Sequence, residues 1–276
     1  MTDPSPPDPA RSFGSVADAY DRARPTYPRE AAAWLVGDEP AAVLELGAGT
    51  GKLTEVLVAL GHDVHATDPD DAMLARLRDR LPDVPTSVAP AEQIPAPDGV
   101  FDVVVVAQAF HWFDHDRALP EIARVLRPGG RLAVVWNRRD ERIPWVKRLG
   151  RLIGSQDQQH SEEPLVLSSH FGFVEDESFR HWQVVDRTSI QELALSRSHL
   201  AVLDEEARAA RLAEVVAFYD DFGRGMDGMQ LPYVTSCFRA TVVDKPGAAA
   251  GEPGGETSAP VADDGADPDV LLIDFR

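Results

Sequence analysis

Strand-like and helix-like segments alternate from Ala41 to Asn137, and this alternation restricts the fold more than any other feature of the chain. Its apolar runs have the length and content of buried strands, and the segments between them carry apolar residues at helical spacing. The runs are 41–46, 63–67, 101–108 and 131–136. Because parallel strands are joined by helical crossovers, we expect an α/β fold with an open sheet covered by helices on both faces.

Charge and composition exclude several classes of function. The chain of 276 residues carries 46 acidic against 27 basic residues, a formal charge of -19, which would repel nucleic acid and anionic lipid. No apolar stretch is long enough to span a membrane, and the first residues, MTDPSPPDPARS, lack the features of a signal peptide. The single cysteine, Cys237, supplies neither an internal disulfide nor a thiolate cluster. We expect a cytoplasmic protein without nucleic-acid or membrane partners.

A glycine-rich turn joins the first apolar run to the first helix, with the sequence Glu45-Leu-Gly-Ala-Gly-Thr-Gly51. Glycines at such a junction allow a ligand to approach main-chain N–H groups at a helix N-terminus. A Walker phosphate loop needs four residues between its first Gly and the Gly-Lys pair, whereas three are present and Leu53 follows. A dinucleotide-binding turn needs glycine where Lys52 stands, which weakens that interpretation without eliminating it.

The glycine turn in its context, VLELGAGTGKL, resembles motif I of the class I S-adenosylmethionine-dependent methyltransferases. The resemblance spans roughly residues 13–137, because further family segments follow in order, including LRPGGRLAVV at the fifth strand. It implies a doubly wound, Rossmann-like α/β fold with a seven-stranded, mostly parallel sheet and a substrate-facing C-terminal part. It also implies S-adenosyl-L-methionine as the cofactor, bound at the turn by Glu45, Gly47, Ala48, Gly49, Thr50 and Gly51.

The same resemblance assigns further cofactor contacts. Asp68 stands about twenty residues beyond the turn, where a carboxylate would accept hydrogen bonds from both ribose hydroxyls. The remaining expected contacts are Pro69 and Met73 after it, Ala91, Glu92 and Gln93 beside the adenine, and Gln108 and Ala109 at the outer end of the fourth strand.

Two flanking segments, FGSVADAYDRARPTYP and AQAFHWFD, resemble the type 11 methyltransferases in the branch akin to trans-aconitate methyltransferase. In that branch an N-terminal helix lies over the cofactor, so Tyr20, with Phe13 or Arg24, would close the site around the methionine end. The alternative is that Phe13 and Tyr20 belong to a core-facing helical stripe. His111 would line the acceptor site and act as its base; alternatively, it belongs to a packed corner with its neighbours.

The domain organisation follows from these assignments and from composition. Residues 1–10 are Pro-rich, and residues 246–269 are mostly Gly, Ala, Pro and acidic residues, so both predict disorder. We expect a disordered lead (1–10), a methyltransferase domain (11–244) and a disordered acidic tail (245–276). Within the domain we expect N-terminal cap helices (11–40), a cofactor-binding core (41–137) and a substrate-facing part with the final strands (138–244).

The absence of certain motifs restricts the class of molecule that could accept the methyl group. The sequence has neither the Asp/Asn-Pro-Pro-Tyr/Phe motif of amino-methylating enzymes nor a Pro-Cys nucleophile, and its histidines lack metal-ligand spacing, so we predict no metal. We expect methyl transfer to a small molecule, with a carboxylate or hydroxyl oxygen favoured and carbon possible, by a monomer or homodimer. The alternatives are a non-catalytic or regulatory cofactor-binding protein and a nicotinamide-dependent oxidoreductase.

Overall fold

The computed structural model describes residues 24–154, 161–196, 200, 203–222 and 228–243. The strands are β1 (Ala42–Leu46), β2 (Asp63–Asp68), β3 (Thr86–Val88), β4 (Phe101–Ala107), β5 (Leu126–Arg139), β6 (Phe171–Val185) and β7 (Met229–Val242). The α-helices are α1 (Arg29–Val36), α2 (Lys52–Ala59), α3 (Asp71–Arg80), α4 (His115–Val125), α5 (Pro144–Ile153), α6 (Glu163–Val166), α7 (Ser189–Leu195) and α8 (Glu205–Phe222). A 3₁₀ turn covers Phe110–Trp112.

The strands form one seven-stranded sheet in the order β3-β2-β1-β4-β5-β7-β6. Neighbouring strands from β3 to β5 are parallel, and β7 is antiparallel to both β5 and β6. This arrangement confirms the predicted α/β fold with a mostly parallel, Rossmann-like sheet. Because parallel strands end at the same edge, the turns after β1, β2, β4 and β5 meet there.

Both faces of the sheet are covered by helices, as the continuous apolar strands require. On one face, Leu35 of α1 and Leu57 of α2 pack against Val103 and Val105 of β4. On the other face, Ile122 of α4 belongs to the cluster that contains alternate residues of β1, β4 and β5. Side chains that alternate along a strand point to opposite faces, so the all-valine run of β4 contributes to both clusters.

The part of the chain after β5 builds a separate apolar cluster from α5, α7 and α8. Leu149, Leu193 and Phe218 of these helices are buried together with Leu231 and Tyr233 at the start of β7. The sequence predicts the helices here and the return of the final strands to the sheet. The sequence also predicts a strand near residues 182–187, but these bounds are wrong, because β6 begins at Phe171 and ends at Val185. β3 is not predicted, since three residues carry no periodic signal.

Several predictions concern residues that lie outside the described ones. These are the lead, Phe13 and Tyr20 of the expected cap, and the tail over 245–276. Within the described ranges, no helix combines the length and the apolar content that crossing a membrane requires.

Candidate functional site

The glycine turn lies at the carboxyl edge of the sheet, between β1 and α2. Gly47, Gly49 and Gly51 all have φ values in the left-handed region, at 68°, 56° and 84°. A Cβ at Gly47 would lie 2.5 Å from the Cβ of Ala109, whereas one at Gly49 would meet no heavy atom within 4 Å among the described residues. The turn is therefore packed against the end of β4 at one position and open at the next.

Asp68, the last residue of β2, links the glycine turn to the start of α3. Its Oδ2 atom accepts a hydrogen bond from the N–H of Gly49, and its Oδ1 atom accepts one from the N–H of Asp70, both at 2.8 Å. Burial raises the pKa of the Asp68 carboxyl, and these two backbone hydrogen bonds oppose that shift. The side chain of Asp70 caps α3 by accepting from the N–H of Ala72 at 2.9 Å.

Glu45 is a buried carboxyl on β1 beneath the turn, and its residue is 1% exposed. The Thr54 hydroxyl donates a hydrogen bond to its Oε2 atom at 2.6 Å. Burial raises the pKa of Glu45 to about 8, the Thr54 hydrogen bond lowers it, and the nearby Asp68 raises it further. At neutral pH the carboxyl therefore carries a proton most of the time, until a cation comes close to it.

Gln108 and Asn137 form a polar wall at the ends of β4 and β5. Gln108 is a non-glycine residue with a positive φ of 60°, a conformation that strains the backbone. Its amide Nε2 donates to the backbone carbonyl of Asn137 at 2.9 Å, and its N–H donates to the carbonyl of Val135 at 3.0 Å. Both hydrogen bonds hold Gln108 against β5 and offset the strain.

Hydrogen bonds fix the buried Asn137 side chain on both sides. Its Nδ2 donates to the carbonyl of Thr26 at 3.0 Å, and its Oδ1 accepts from the Thr235 hydroxyl at 2.6 Å. The Nδ1 atom of His181 lies 3.2 Å from the same hydroxyl. Burial lowers the pKa of His181, which favours the neutral imidazole.

Two further residues of this region, Tyr233 and Arg139, are buried. The ring of Tyr233 is stacked on His181 with centroids 5.4 Å apart. The guanidinium of Arg139 donates through Nη2 to the carbonyl of Gly154 at 2.6 Å and to Glu141 at 3.1 Å. Burial lowers the pKa of Arg139, whereas Tyr233 and Glu141 raise it.

One cavity lies between the glycine turn and the polar wall of Gln108 and Asn137. It is lined by Arg24, Pro25, Tyr27, Glu45, Gly47, Ala48, Gly49, Thr50, Lys52, Leu53, Ala107, Gln108, Asn137 and Tyr233. Seven of the residues predicted from the sequence therefore share this lining, namely Arg24, Glu45, Gly47, Ala48, Gly49, Thr50 and Gln108.

The other predicted residues that the structure describes are not part of this lining. Gly51 is the N-cap residue of α2, and a Cβ there would lie 2.8 Å from Leu77 of α3. Pro69 is half-buried after β2, and Met73 is buried on α3. Ala109 contacts the turn at Gly47.

The predicted adenine segment is attached to the turn before α4. Ala91 is buried in the core, Gln93 is exposed, and Glu92 accepts a hydrogen bond from the N–H of Asp114 at 2.8 Å. His111 lies in the 3₁₀ turn, half-buried, with its ring 4.7 Å from that of Trp112.

Sequence reasoning missed the other seven residues of the lining, Pro25, Tyr27, Lys52, Leu53, Ala107, Asn137 and Tyr233. Asn137 directly follows the apolar run 131–136, and the carboxyl-edge rule that singled out Gln108 applies to it equally. Tyr233 reaches this edge because β7 runs antiparallel to its neighbours, and no sequence signal places it there.

In the described part of the chain, no group of three or more His, Cys, Asp or Glu residues converges in a way that could hold a metal ion. The one cysteine, Cys237, is buried, and burial raises the pKa of its thiol to about 12.

Comparison with known proteins gives a consistent picture. A family model described as a methyltransferase domain matches residues 44–134. An uncharacterized methyltransferase of Mycobacterium tuberculosis is 44% identical over 234 residues, which cover 84% of this chain and 96% of the relative. An uncharacterized methyltransferase of Schizosaccharomyces pombe is 33% identical over 219 residues, covering 75% of this chain and 87% of the relative.

A solved structure is similar as well. It is that of a protein from Anaeromyxobacter dehalogenans, provisionally named a type II methyltransferase, with 28% identity and a TM-score of 0.61. The match covers 79% of this chain and 97% of that one.

The close approach of Gly47 to Ala109 predicts an unequal cost for two glycine substitutions. Gly47→Ala adds a methyl group 2.5 Å from Ala109 at a positive φ, whereas Gly61→Ala has a positive φ of 94° with no described heavy atom within 4 Å. The left-handed conformation alone costs about 1 to 2 kcal/mol, and overpacking adds about 1 to 3 kcal/mol. Urea denaturation should therefore show the larger loss for Gly47→Ala. Equal losses would contradict the packing argument.

The raised pKa of Glu45 predicts a pH-dependent stability. The folded state holds a proton up to about pH 8, while the unfolded state loses it near 4.5, so ionisation opposes folding as pH rises between these values. Gln cannot ionise, so the stability of Glu45→Gln relative to the parent should rise between pH 5 and 8, by about 1 kcal/mol per pH unit. Urea denaturation across this range measures the difference. The free energy of unfolding of the exposed Glu30→Gln control should follow the pH dependence of the parent. Glu45→Gln would follow it too if the Glu45 carboxyl had an ordinary pKa.

Proposed function

The chain belongs to the class I S-adenosylmethionine-dependent methyltransferases, and from that membership we propose that it transfers the methyl group to a small-molecule acceptor. A carboxylate or hydroxyl oxygen is the favoured acceptor, and carbon is a possible one. The methyltransferase relatives favour this function over the nicotinamide-dependent alternative. The match to a methyltransferase domain likewise favours catalysis over cofactor binding alone.

The observation that carries the proposal is a single cavity with two chemically different sides. One side is the glycine turn, where Gly49 leaves open space next to the N-terminus of α2. The other side consists of Gln108, Asn137 and Tyr233 at the ends of β4, β5 and β7. The first side suits the polar groups of the cofactor, and the second is available to orient an acceptor.

The residues predicted to bind the cofactor are consistent with these two sides of the cavity. Each carboxylate oxygen of Asp68 accepts one backbone hydrogen bond at 2.8 Å, which leaves a lone pair on each for a ribose hydroxyl. The Glu45 carboxyl lines the cavity, where an ammonium group would favour its ionised form. Glu45 would thereby bind the methionine amine or organise the turn. Ala91, Glu92 and Gln93 would border the adenine, with Pro69 and Met73 next to the ribose, while Tyr20 would close the site.

S-adenosylmethionine supplies a methyl group on a sulfonium centre that is already a strong methyl donor. The protein then has to align the acceptor with that centre and exclude water. A carboxylate acceptor needs no base, whereas a hydroxyl or a carbon acid does. His111 would be that base, because it lies three residues beyond Gln108 at the carboxyl edge and an imidazole can accept a proton near neutral pH. Residues 138–244 would supply the remaining acceptor contacts.

Turnover tests the proposed function directly. Purified protein with methyl-labelled S-adenosylmethionine is incubated with a panel of small carboxylic acids, phenols and alcohols, and label transfer is followed by mass spectrometry. We expect transfer to at least one oxygen acceptor. Tight binding of S-adenosylhomocysteine without any transfer would support the non-catalytic alternative, and tighter binding of NAD would support the oxidoreductase.

The ribose assignment predicts a selective loss of cofactor affinity. A hydrogen bond to a charged group contributes on the order of 1.5 to 3 kcal/mol, so Asp68→Asn should raise the Kd for S-adenosylhomocysteine at least tenfold by calorimetry. Asp63→Asn, on the exposed opposite end of β2, is the matched control and should keep the parent affinity. Unchanged binding by Asp68→Asn would refute the assignment.

The base assignment of His111 predicts a kinetic signature once an acceptor is found. General-base catalysis contributes roughly 10²- to 10⁴-fold in rate, so His111→Ala and His111→Gln should both lower kcat by at least that lower factor. Cofactor affinity, measured in parallel, should stay at the parent value. A loss below about fivefold with unchanged cofactor binding would remove the base role and leave His111 as part of the packed corner.

A further inference from the structure

Strand β6 is a long strand at the edge of the sheet that the structure describes. It covers Phe171–Val185 and pairs with β7 on one side, and no other strand of the described chain pairs with it. Large apolar side chains on it are exposed, with Phe173 at 86%, Trp182 at 62% and Val184 at 59%. An exposed strand edge of this kind offers a row of backbone groups to a further strand.

The backbone of β6 shows which residues face outward. The N–H of Ser178 donates to the Glu177 carboxylate at 3.0 Å, so it points away from β7. Because backbone groups alternate along a strand, the N–H and C=O groups of Asp176 and Arg180 also point outward. The side chains of Asp176, Ser178 and Arg180 are all exposed and lie on the same face of the sheet.

The charges of β6 are arranged so that two antiparallel copies of the strand, centred on Ser178, would place opposite charges next to each other. An antiparallel copy centred on this residue would place Asp176 opposite Arg180 of the second copy, and Arg180 opposite its Asp176, with Val174 opposite Trp182 one pair further out. These are outward-facing residues with the spacing of directly opposed cross-strand pairs. Moving the centre by one residue, to 177 or 179, places Asp176 opposite Ser178 or Trp182, so both ion pairs are lost.

From this symmetry we propose that two copies of the chain associate through antiparallel pairing of their β6 strands, which joins two seven-stranded sheets into one. The interface is isologous, because each copy contributes the same strand and the same two charges. The Ser178 N–H exchanges its bond to Glu177 for one to the second copy. This association is independent of the proposed methyl transfer.

Within one chain, the charged groups near β6 already have other partners, so Asp176 and Arg180 remain available for a second copy. Arg180 lies close enough to Asp140 to lower the pKa of that carboxyl, but Asp140 is already bound by Arg142 through two side-chain hydrogen bonds of 2.7 Å. On the opposite face of β6, Glu175 is bound by Arg239 at 2.6 Å, so it does not compete for Arg180.

Charge reversal tests the register with the full-length chain. Sedimentation velocity from micromolar to hundreds of micromolar should show a parent dimer that weakens as salt is raised. Asp176→Arg and Arg180→Asp should each be monomeric, because like charges then oppose each other. Asp83→Arg, an exposed charge reversal in the loop before β3, is the control and should remain dimeric.

Two further combinations of these substitutions test whether Asp176 and Arg180 oppose each other in the dimer. An equimolar mixture of Asp176→Arg and Arg180→Asp pairs opposite charges again and should form a heterodimer, and the double charge swap in one chain should restore the homodimer. A parent that stays monomeric over the whole range would overturn the proposal, with the β6 charges acting instead to prevent edge pairing. A dimer that survives both single reversals would overturn it too, because another surface would then be responsible.

Discussion

The carboxylate of Asp68 connects the two turns that surround the glycine-rich side of the cavity, and the rest of the site depends on that connection. By accepting from the N–H groups of Gly49 and Asp70, it fixes the turn after β1 relative to the turn after β2. The contact between Gly47 and Ala109 then brings the turn against the end of β4. Three parallel strands thus reach the cavity in a defined arrangement before any ligand is present, which lowers the entropy cost of binding.

The electrostatics of the cavity follow from the same packing. Glu45 is buried beneath the turn with the Thr54 hydroxyl as its hydrogen-bond donor, and Asp68 lies near enough to disfavour a second negative charge. Two buried carboxyls in one small region cannot both ionise at low cost. The protein therefore holds a proton where a cationic group of a ligand would be favourable, and binding of such a group would release that proton to solvent.

The sequence predicted the parallel half of the sheet well and the antiparallel half poorly, and burial explains the difference. Strands such as β4 are covered on both faces, so they appear as unbroken apolar runs. The edge strand β6 contains Glu175, Asp176, Glu177 and Ser178 in succession, all exposed, and no alternation marks it as a strand. Among the site residues, Asn137 could have been found from its position directly after the apolar run 131–136. Tyr233 could not, because its place depends on pairing between strands far apart in the chain.

The hydrogen bonds of Asn137 have a consequence for the order in which the protein is made. Its side chain joins Thr26, near the beginning of the described chain, to Thr235, which is 98 residues further along than Asn137 itself. During synthesis on the ribosome, β1, β2 and β4 with the glycine turn can assemble before Tyr233 and Thr235 emerge. A nascent chain would thus expose an unfinished, partly polar cleft until β7 emerges, and the side formed by Asn137 and Tyr233 would close after the glycine-rich side.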